Sequence, residues 1–347
     1  MRYRLFGNHT GLRVSELVLG AGAFGTRWGH GADPQESRRI FDGYVEAGGN
    51  FIDTADGYQF GESETLLGGF LAPNRDDFVL ATKYTRGAAP GGGLSATGNS
   101  RKVMVRSLEE SLQRLKTDHV DLYWVHMPDG MTPMEEILRG LDDLVRAGKV
   151  LYIGLSDFQA WRVSYGVALA QLRGWAPIAG VQLEYSLVER TPERELLPMA
   201  QAFGLGTVGW SPLGGGLLTG KYRRGEQGRR EGLKTLVHAE DTDQKRAIVD
   251  TLEAVAKELD TNTGRVAIAW VSARGVMPIL GPRTRAQLDD NLAAASLVLS
   301  PEQLQRLDAV SAVPLGFPHE LLAAPDNVSA LAGGKGALLA LPSTPVA

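Results

Sequence analysis

Four side chains of four different chemical kinds stand within the first half of this 347-residue chain. They are the carboxyl of Asp53, the phenol of Tyr58, the ammonium of Lys83 and the imidazole of His126. Each type can hold or move a proton beside a reacting atom. Asp53, Lys83 and His126 close short apolar runs, and Tyr58 follows Asp53 by five residues in the segment FIDTADGY. Taken singly, each has an ordinary reading. Asp53 could cap a turn, Lys83 could be a solvated strand end, His126 a satisfied core histidine after Leu122-Tyr123-Trp124-Val125, and Tyr58 a loop aromatic. Taken together they converge, because barrel enzymes draw their catalytic groups from the ends of several strands.

The elements that would carry them follow one rhythm. Eight β-type runs recur: Leu17–Gly20, Asn50–Asp53, Phe78–Lys83, Val120–His126, Val150–Ser156, Ile178–Glu184, Gly206–Trp210 and Val276–Leu280. Between them lie stretches with three- and four-residue apolar spacing, such as Pro34–Ala47, Arg101–Leu115, Pro133–Ala147 and Asp243–Leu259. Asp33-Pro34 reads as a helix start, and Gly48 and Gly148 as helix ends. Alternation of strand and helix predicts a parallel sheet, and eight units predict a (β/α)8 TIM barrel. Arg2–Leu5 and Leu12–Ser15 predict a hairpin that plugs the bottom of the barrel. The expected organisation is a single domain over 1–347, with the regular barrel at about 16–311 and a tail at about 312–347. Thr85–Ser100 and Gly214–Gln244 predict long loops on the C-terminal face, where barrels place their sites. The stretch from Phe317 onward is poorly periodic, and Gly91-Gly92-Gly93 reads as a mobile rim.

Longer motifs place these residues in a known pattern. FIDTADGY is followed by GESE at Gly61–Glu64, ATKY at Ala81–Tyr84 and GNSRK at Gly98–Lys102. DLYWVHMPD follows at Asp121–Asp129, LDDLVRAGKVLYIGLSDF at Leu141–Phe158 and VQLEYSL at Val181–Leu187. GWSPLGGGLLTGKY at Gly209–Tyr222 and GPRTRAQLDDNL at Gly281–Leu292 complete the series. From about Arg4 to Ser311 the chain resembles the aldo-keto reductase superfamily. Within it, the chain looks most like the bacterial branch related to aryl-alcohol dehydrogenases and potassium-channel β subunits.

The resemblance implies NADPH-dependent reduction of an aldehyde or ketone. Tyr58 would be the general acid, Lys83 its electrostatic neighbour, Asp53 the partner that holds Lys83, and His126 the donor that orients the carbonyl oxygen. Gly22, Ala23 and Asp53 would border the nicotinamide, and Ser156, Asp157 and Gln182 would meet its carboxamide. Trp210 would stack on its ring, and Ser211, Leu213, Gly215 and Lys221 would follow the pyrophosphate. Arg283 and Gln287 would meet the 2′-phosphate, and Asp290 and Asn291 the adenine; a guanidinium suits a phosphate and favours NADP(H). Two departures stand out. The family's usual Ser-Asn reads Ser156-Asp157 here, and an aspartate accepts but cannot donate as an amide does. Gly281-Pro282 precede Arg283, so positive charge at that end rests on arginine, with Arg285 nearby. Phe24, Trp28, Tyr84 and Trp124 are expected to line the substrate space, with the tail near Phe317, which would suit a hydrophobic or aromatic carbonyl.

Composition narrows the alternatives. There is no cysteine, so disulfides and thiolate chemistry are excluded, and no metal site is expected. The net charge of −4 gives no reason to expect a nucleic-acid or membrane partner. The basic residues around Arg223–Arg230 are broken by Gly225, Glu226 and Gly228 and read as a solvated loop. Met1-Arg2-Tyr3-Arg4 is not followed by a long apolar run, so no signal peptide and a cytoplasmic location are expected. Gly20-Ala21-Gly22-Ala23-Phe24-Gly25 spells GxGxxG, but it lies on the first barrel strand and does not make a Rossmann unit. A monomer and a homo-oligomer both remain open. Two other functions stay in view. One is a cofactor-binding regulatory subunit with little turnover. The other is a barrel glycoside hydrolase using Asp53 and Glu184, which would need two free carboxylates about 5–9.5 Å apart.

Overall fold

The computed structural model describes residues 1–226, 238–340 and 344–346. Part of the predicted Gly214–Gln244 loop therefore lies outside the described residues. The chain opens with an antiparallel hairpin, β1 (Tyr3–Leu5) and β2 (Arg13–Ser15). Eight parallel strands then close a barrel: β3 (Val18–Gly20), β4 (Phe51–Asp53), β5 (Val79–Tyr84), β6 (Val120–Val125), β7 (Val150–Ser156), β8 (Ile178–Glu184), β9 (Gly206–Trp210) and β10 (Met277–Leu280). The ring runs β10-β3-β4-β5-β6-β7-β8-β9 and returns to β10, which is the (β/α)8 TIM barrel. The predicted runs differ from the strands only at their ends; His126, for example, lies just past β6.

Helices wrap the ring in alternation: α1 (Pro34–Glu46), α2 (Glu62–Leu71), α3 (Arg101–Leu115), α4 (Met134–Arg146), α5 (Ala160–Arg173), α6 (Leu196–Ala202), α7 (Asp243–Glu258), α8 (Thr263–Ala273), α9 (Arg285–Leu292) and α10 (Pro301–Val310). Their starts follow local chemistry. The Asp33 side chain accepts from Glu36 N ahead of Pro34, and Ser100 accepts from Val103 N at the start of α3. In α4 the buried stripe is Met134, Ile137, Leu138, Leu141 and Leu144, the spacing of one helix face. All six residues of both β5 and β6 are buried, because their odd and even side chains face either the barrel interior or the helices.

The bottom of the barrel is filled by Phe6, which follows β1 and is wholly buried. Its ring meets Phe51 edge-on at 5.7 Å and Trp124 at 6.3 Å. Gly180 and Gly206 make room for it, since a Cβ at those positions would come within 2.5 and 2.8 Å of the Phe6 ring. The tail carries two short helices, α11 (His319–Ala323) and α12 (Pro325–Leu331), which bury no residue. Among the described residues no helix is long and apolar enough to cross a membrane.

Filling the barrel end with one aromatic ring makes that ring a single point of failure. Phe6→Ala should lower unfolding free energy by about 3–5 kcal/mol in urea melts, whereas Leu94→Ala, on the exposed rim, should change it by less than about 0.5 kcal/mol. Equal midpoints for the two variants would mean that the hairpin residue does not seal the core.

Candidate active site

Parallel neighbours bring the chain-distant residues together. β4 pairs with β5 so that Asp53 sits opposite Ala81, and β5 pairs with β6 so that Lys83 sits opposite Trp124. At the open end of these strands the Lys83 ammonium is fully buried and bonded to Asp53 Oδ1. It also donates to the Thr54 carbonyl at 2.9 Å and to the Tyr58 hydroxyl at 3.2 Å. The other oxygen of Asp53 accepts from Gln182 Nε2 at 2.9 Å, across the barrel from β8. Burial alone would lower the Lys83 pKa, but Asp53, with Tyr58 adding to it, more than offsets this and raises it above the ordinary lysine value. The ammonium therefore stays charged.

Tyr58 is held by a short turn, Tyr58–Gly61, in which Gln59 and Phe60 adopt left-handed backbone angles (φ 50° and 54°). The buried Gln59 side chain supports that conformation by bridging two loops. Its amide donates to the His30 carbonyl at 2.9 Å, and its oxygen accepts from Trp28 N at 2.8 Å. Trp28 is thereby set edge-on to Tyr58, with ring centroids 6.0 Å apart. Gly22 lies behind Tyr58, where a Cβ would sit 3.5 Å from its ring. On another side the His126 ring meets Tyr58 edge-on at 5.8 Å. Burial pushes the His126 pKa well below its usual range, and the charges of Lys83 and Arg86 add to that, so the imidazole is neutral. Its Nδ1 is buried without a hydrogen-bond partner.

On the β7–β9 side, Ser156 ends β7 with a buried hydroxyl that has no partner. Asp157 adopts φ 57°, a left-handed conformation that Asp and Asn tolerate better than most residues. It accepts the indole N–H of Trp210 at 3.0 Å. For this bond the carboxylate need only accept, as an asparagine oxygen also could. Asp157 keeps an open edge, yet partial removal of its carboxyl from water pushes it up to about 6, against the lowering effect of the indole bond. Beyond Trp210, Ser211 Oγ accepts from Gly215 N at 3.1 Å, and the turn continues through Gly214, Gly215 and Gly216 at positive φ. Leu213 packs against the core from this turn. The Lys221 ammonium lies 5.1 Å from the centre of the Tyr222 ring. Ala23 is buried beside Gly22, and its carbonyl accepts from Ala32 N at 2.7 Å.

At the far end, Arg283 N donates to Gln287 Oε1 at 2.9 Å ahead of α9. Asp290 is paired with Arg265 at 2.9 Å and bonded to Asn262 at 2.7 Å. Asp290 and Asn291 border a cleft of about 470 Å³ that also touches Thr219, Asn262 and Gly264. Arg285 is committed elsewhere, to Glu46 at 3.0 Å and Asp289 at 2.8 Å.

Three residues expected to line the substrate space do not. Phe24, Tyr84 and Trp124 are all fully buried. Tyr84 follows Lys83 on its strand and so points to the opposite face, where it stacks on Tyr123 at 5.2 Å. Trp124 points inward but lies a layer below the mouth, against Phe6. Phe24 packs on Phe70 beneath the first loop. Trp28 alone of the four stays half-buried beside Tyr58, and Phe317 is 85% exposed. Among the described residues no cluster of His, Asp and Glu could hold a metal ion. Asp53 uses both carboxylate oxygens on Lys83 and Gln182, and Glu184 is bonded to His238 at 2.9 Å, so neither of the two carboxylates considered for glycoside hydrolysis is free.

The sequence reading missed Asp56, two residues before Tyr58. It is 1% exposed, and neither carboxylate oxygen has a hydrogen-bond partner. Burial lifts its pKa to about 7, with Glu64 adding in the same direction. The folded chain therefore binds this proton more tightly than the unfolded chain, so stability falls as pH rises from about 4 to about 7. The wild-type protein should lose on the order of a few kcal/mol over that window that Asp56→Asn does not lose. Parallel stability–pH curves for the two proteins would show that Asp56 does not titrate there.

Comparison with known proteins agrees with this architecture. The aldo/keto reductase family model matches residues 16–312. A putative aryl-alcohol dehydrogenase, AAD14, of Saccharomyces cerevisiae is 36% identical over 92% of this chain and 89% of its own length. Norsolorinic acid reductase of Aspergillus flavus is 37% identical over 92% of this chain and 84% of its own. An uncharacterized oxidoreductase, YrpG, of Bacillus subtilis is 39% identical over 93% of this chain and its own full length. With a match running nearly the whole barrel, and a closed eight-stranded ring beneath it, this chain belongs to the aldo/keto reductase family.

Proposed function

We propose that this protein is an NADPH-dependent reductase that converts an aldehyde or ketone to an alcohol, with Tyr58 as the general acid. The observation that carries the reading is the contact of the half-buried Tyr58 hydroxyl with the buried Lys83 ammonium, 3.2 Å apart, beside a neutral His126. Tyr58 gives its proton to the carbonyl oxygen as that oxygen gains charge. Lys83 stabilises the phenolate left behind, and Asp53 with the Thr54 carbonyl keeps Lys83 aimed at it. His126 offers an N–H to the same oxygen, and being neutral it adds no charge of its own. Gln182, by fixing the second oxygen of Asp53, keeps the pair from swinging apart.

A nicotinamide dinucleotide would supply the hydride when bound. The residues present fit such a group. The unpartnered Ser156 hydroxyl, with Asp157 and Gln182, would receive the carboxamide, and the half-buried Trp210 would lie against the ring. Ser211, Leu213, Gly215 and Lys221 would follow the pyrophosphate, and Gly22 with Ala23 would border the nicotinamide from the first loop. The cleft beside Asp290 and Asn291 suits an adenine. Among the described residues the Arg283 guanidinium has no ion pair, which leaves it available for the 2′-phosphate, with Gln287 beside it.

Two measurements test this reading. Tyr58→Phe should cut kcat by about 10²–10⁴ while the Kd for NADPH stays within a few-fold. Matching losses in kcat and cofactor binding would remove Tyr58 from the acid role. Arg283→Ala should raise the Kd for NADPH by tenfold or more, about 1.4 kcal/mol, and leave the Kd for NADH nearly unchanged. A common shift for both cofactors would place the phosphate elsewhere.

A further inference from the structure

The loop after β5 carries a cation with no assigned task. Arg86 is exposed, and among the described residues it makes no ion pair or hydrogen bond. It stands next to the reacting groups: a Cβ on Gly57, the residue before Tyr58, would lie 3.8 Å from Arg86 Cβ. Its charge is also close enough to help keep His126 neutral.

The backbone beneath Arg86 is built for that position. Thr85 takes φ 126°, a conformation that side-chain-bearing residues rarely adopt. It is 6% exposed and fastened on two sides. The Thr85 hydroxyl accepts from Asn99 Nδ2 at 2.9 Å, and its carbonyl accepts from Gly98 N at 2.8 Å. Asn99 is wholly buried and reaches the loop after β6, donating to the Met127 carbonyl at 3.0 Å and accepting from Asp129 N at 2.6 Å. A strained residue clamped by a buried amide is a rigid mount, and what it mounts is a free guanidinium at the mouth of the site. Flat apolar surfaces border Tyr58 as well. Trp28 lies edge-on to Tyr58 at 6.0 Å and to Phe60 at 6.3 Å, and Phe60 is 37% exposed.

We propose that Arg86 sets substrate specificity by pairing with an anionic group on an aromatic carbonyl compound, a carboxylate above all, while the ring rests against Trp28 and Phe60. This rests on the carbonyl-reductase reading and names the substrate class of that site. A guanidinium binds a carboxylate through two parallel N–H bonds, which would fix the distance from anion to carbonyl as well as the charge.

The test compares 4-carboxybenzaldehyde with benzaldehyde, which differ by one para carboxylate, in wild type, Arg86→Lys and Arg86→Gln, so that the electronic effect of the substituent cancels between proteins. The ratio of their kcat/KM values should fall about tenfold in Arg86→Gln, keep part of its size in Arg86→Lys, and shrink with added salt in the wild type. A ratio equal in all three proteins overturns the proposal. So does a Arg86→Gln variant that loses NADPH affinity instead, because Arg86 would then serve the cofactor. Calorimetric titration with benzoate and benzamide reads the same contact without turnover. Benzoate affinity should fall about tenfold in Arg86→Gln and benzamide affinity should not. If neither aldehyde is reduced by the wild type yet benzoate still discriminates, the reductase reading fails and the anion site stands. If benzoate does not discriminate, the anion site itself fails.

Discussion

A charged amine with no exposure to water is the constraint on which this site depends. Removing an ammonium from water costs several kcal/mol unless its surroundings replace the lost hydration. Around Lys83 the replacement is complete: a carboxylate from the neighbouring strand, a main-chain carbonyl one residue further on, and a phenol from the loop that follows. Such a pair adds little net stability against an apolar alternative, yet breaking it by removing one partner is expensive, on the order of 3–5 kcal/mol. Its value lies in fixing geometry. With Lys83 tied to Asp53, the phenolic oxygen of Tyr58 has one place to be, and the edge-on contacts from Trp28 and His126 hold the ring there.

Much of this was legible in the residues. Strand and helix alternation announces the barrel because each strand is short, apolar and followed by a 3.6-residue pattern. Asp53, Lys83 and His126 fall at strand ends, so parallel pairing alone brings them to one rim. The errors came from facing direction and depth. Adjacent strand residues point to opposite faces, so an inward Lys83 requires an outward Tyr84, and the period of two could have said so. Trp124 has the right parity but the wrong height, because strand tilt and the Phe6 plug set which layer of the barrel a residue fills. Sequence carries parity far better than depth.

The site's polar details were less legible still. Nothing in FIDTADGY says that Asp56 is buried without a partner while Asp53 is fully engaged. That difference arises from which of two nearby carboxyls faces the amine, a matter of packing in three dimensions. The same holds for Arg285, whose partners Glu46 and Asp289 come from α1 and from its own helix. Likewise the indole bond from Trp210 to Asp157 joins residues 53 positions apart that the sequence alone does not pair.

Gln182 holds Asp53 from across the mouth, so the carboxylate is gripped by a residue 129 positions away in the chain as well as by its neighbour on β5. Lys83 comes from next door, but this second grip exists only after the ring has shut. A partly assembled barrel could therefore contain the amine, the acid and the phenol and still leave the acid free to rotate toward water. Closure of the strand circle and readiness for chemistry are, on this arrangement, the same event.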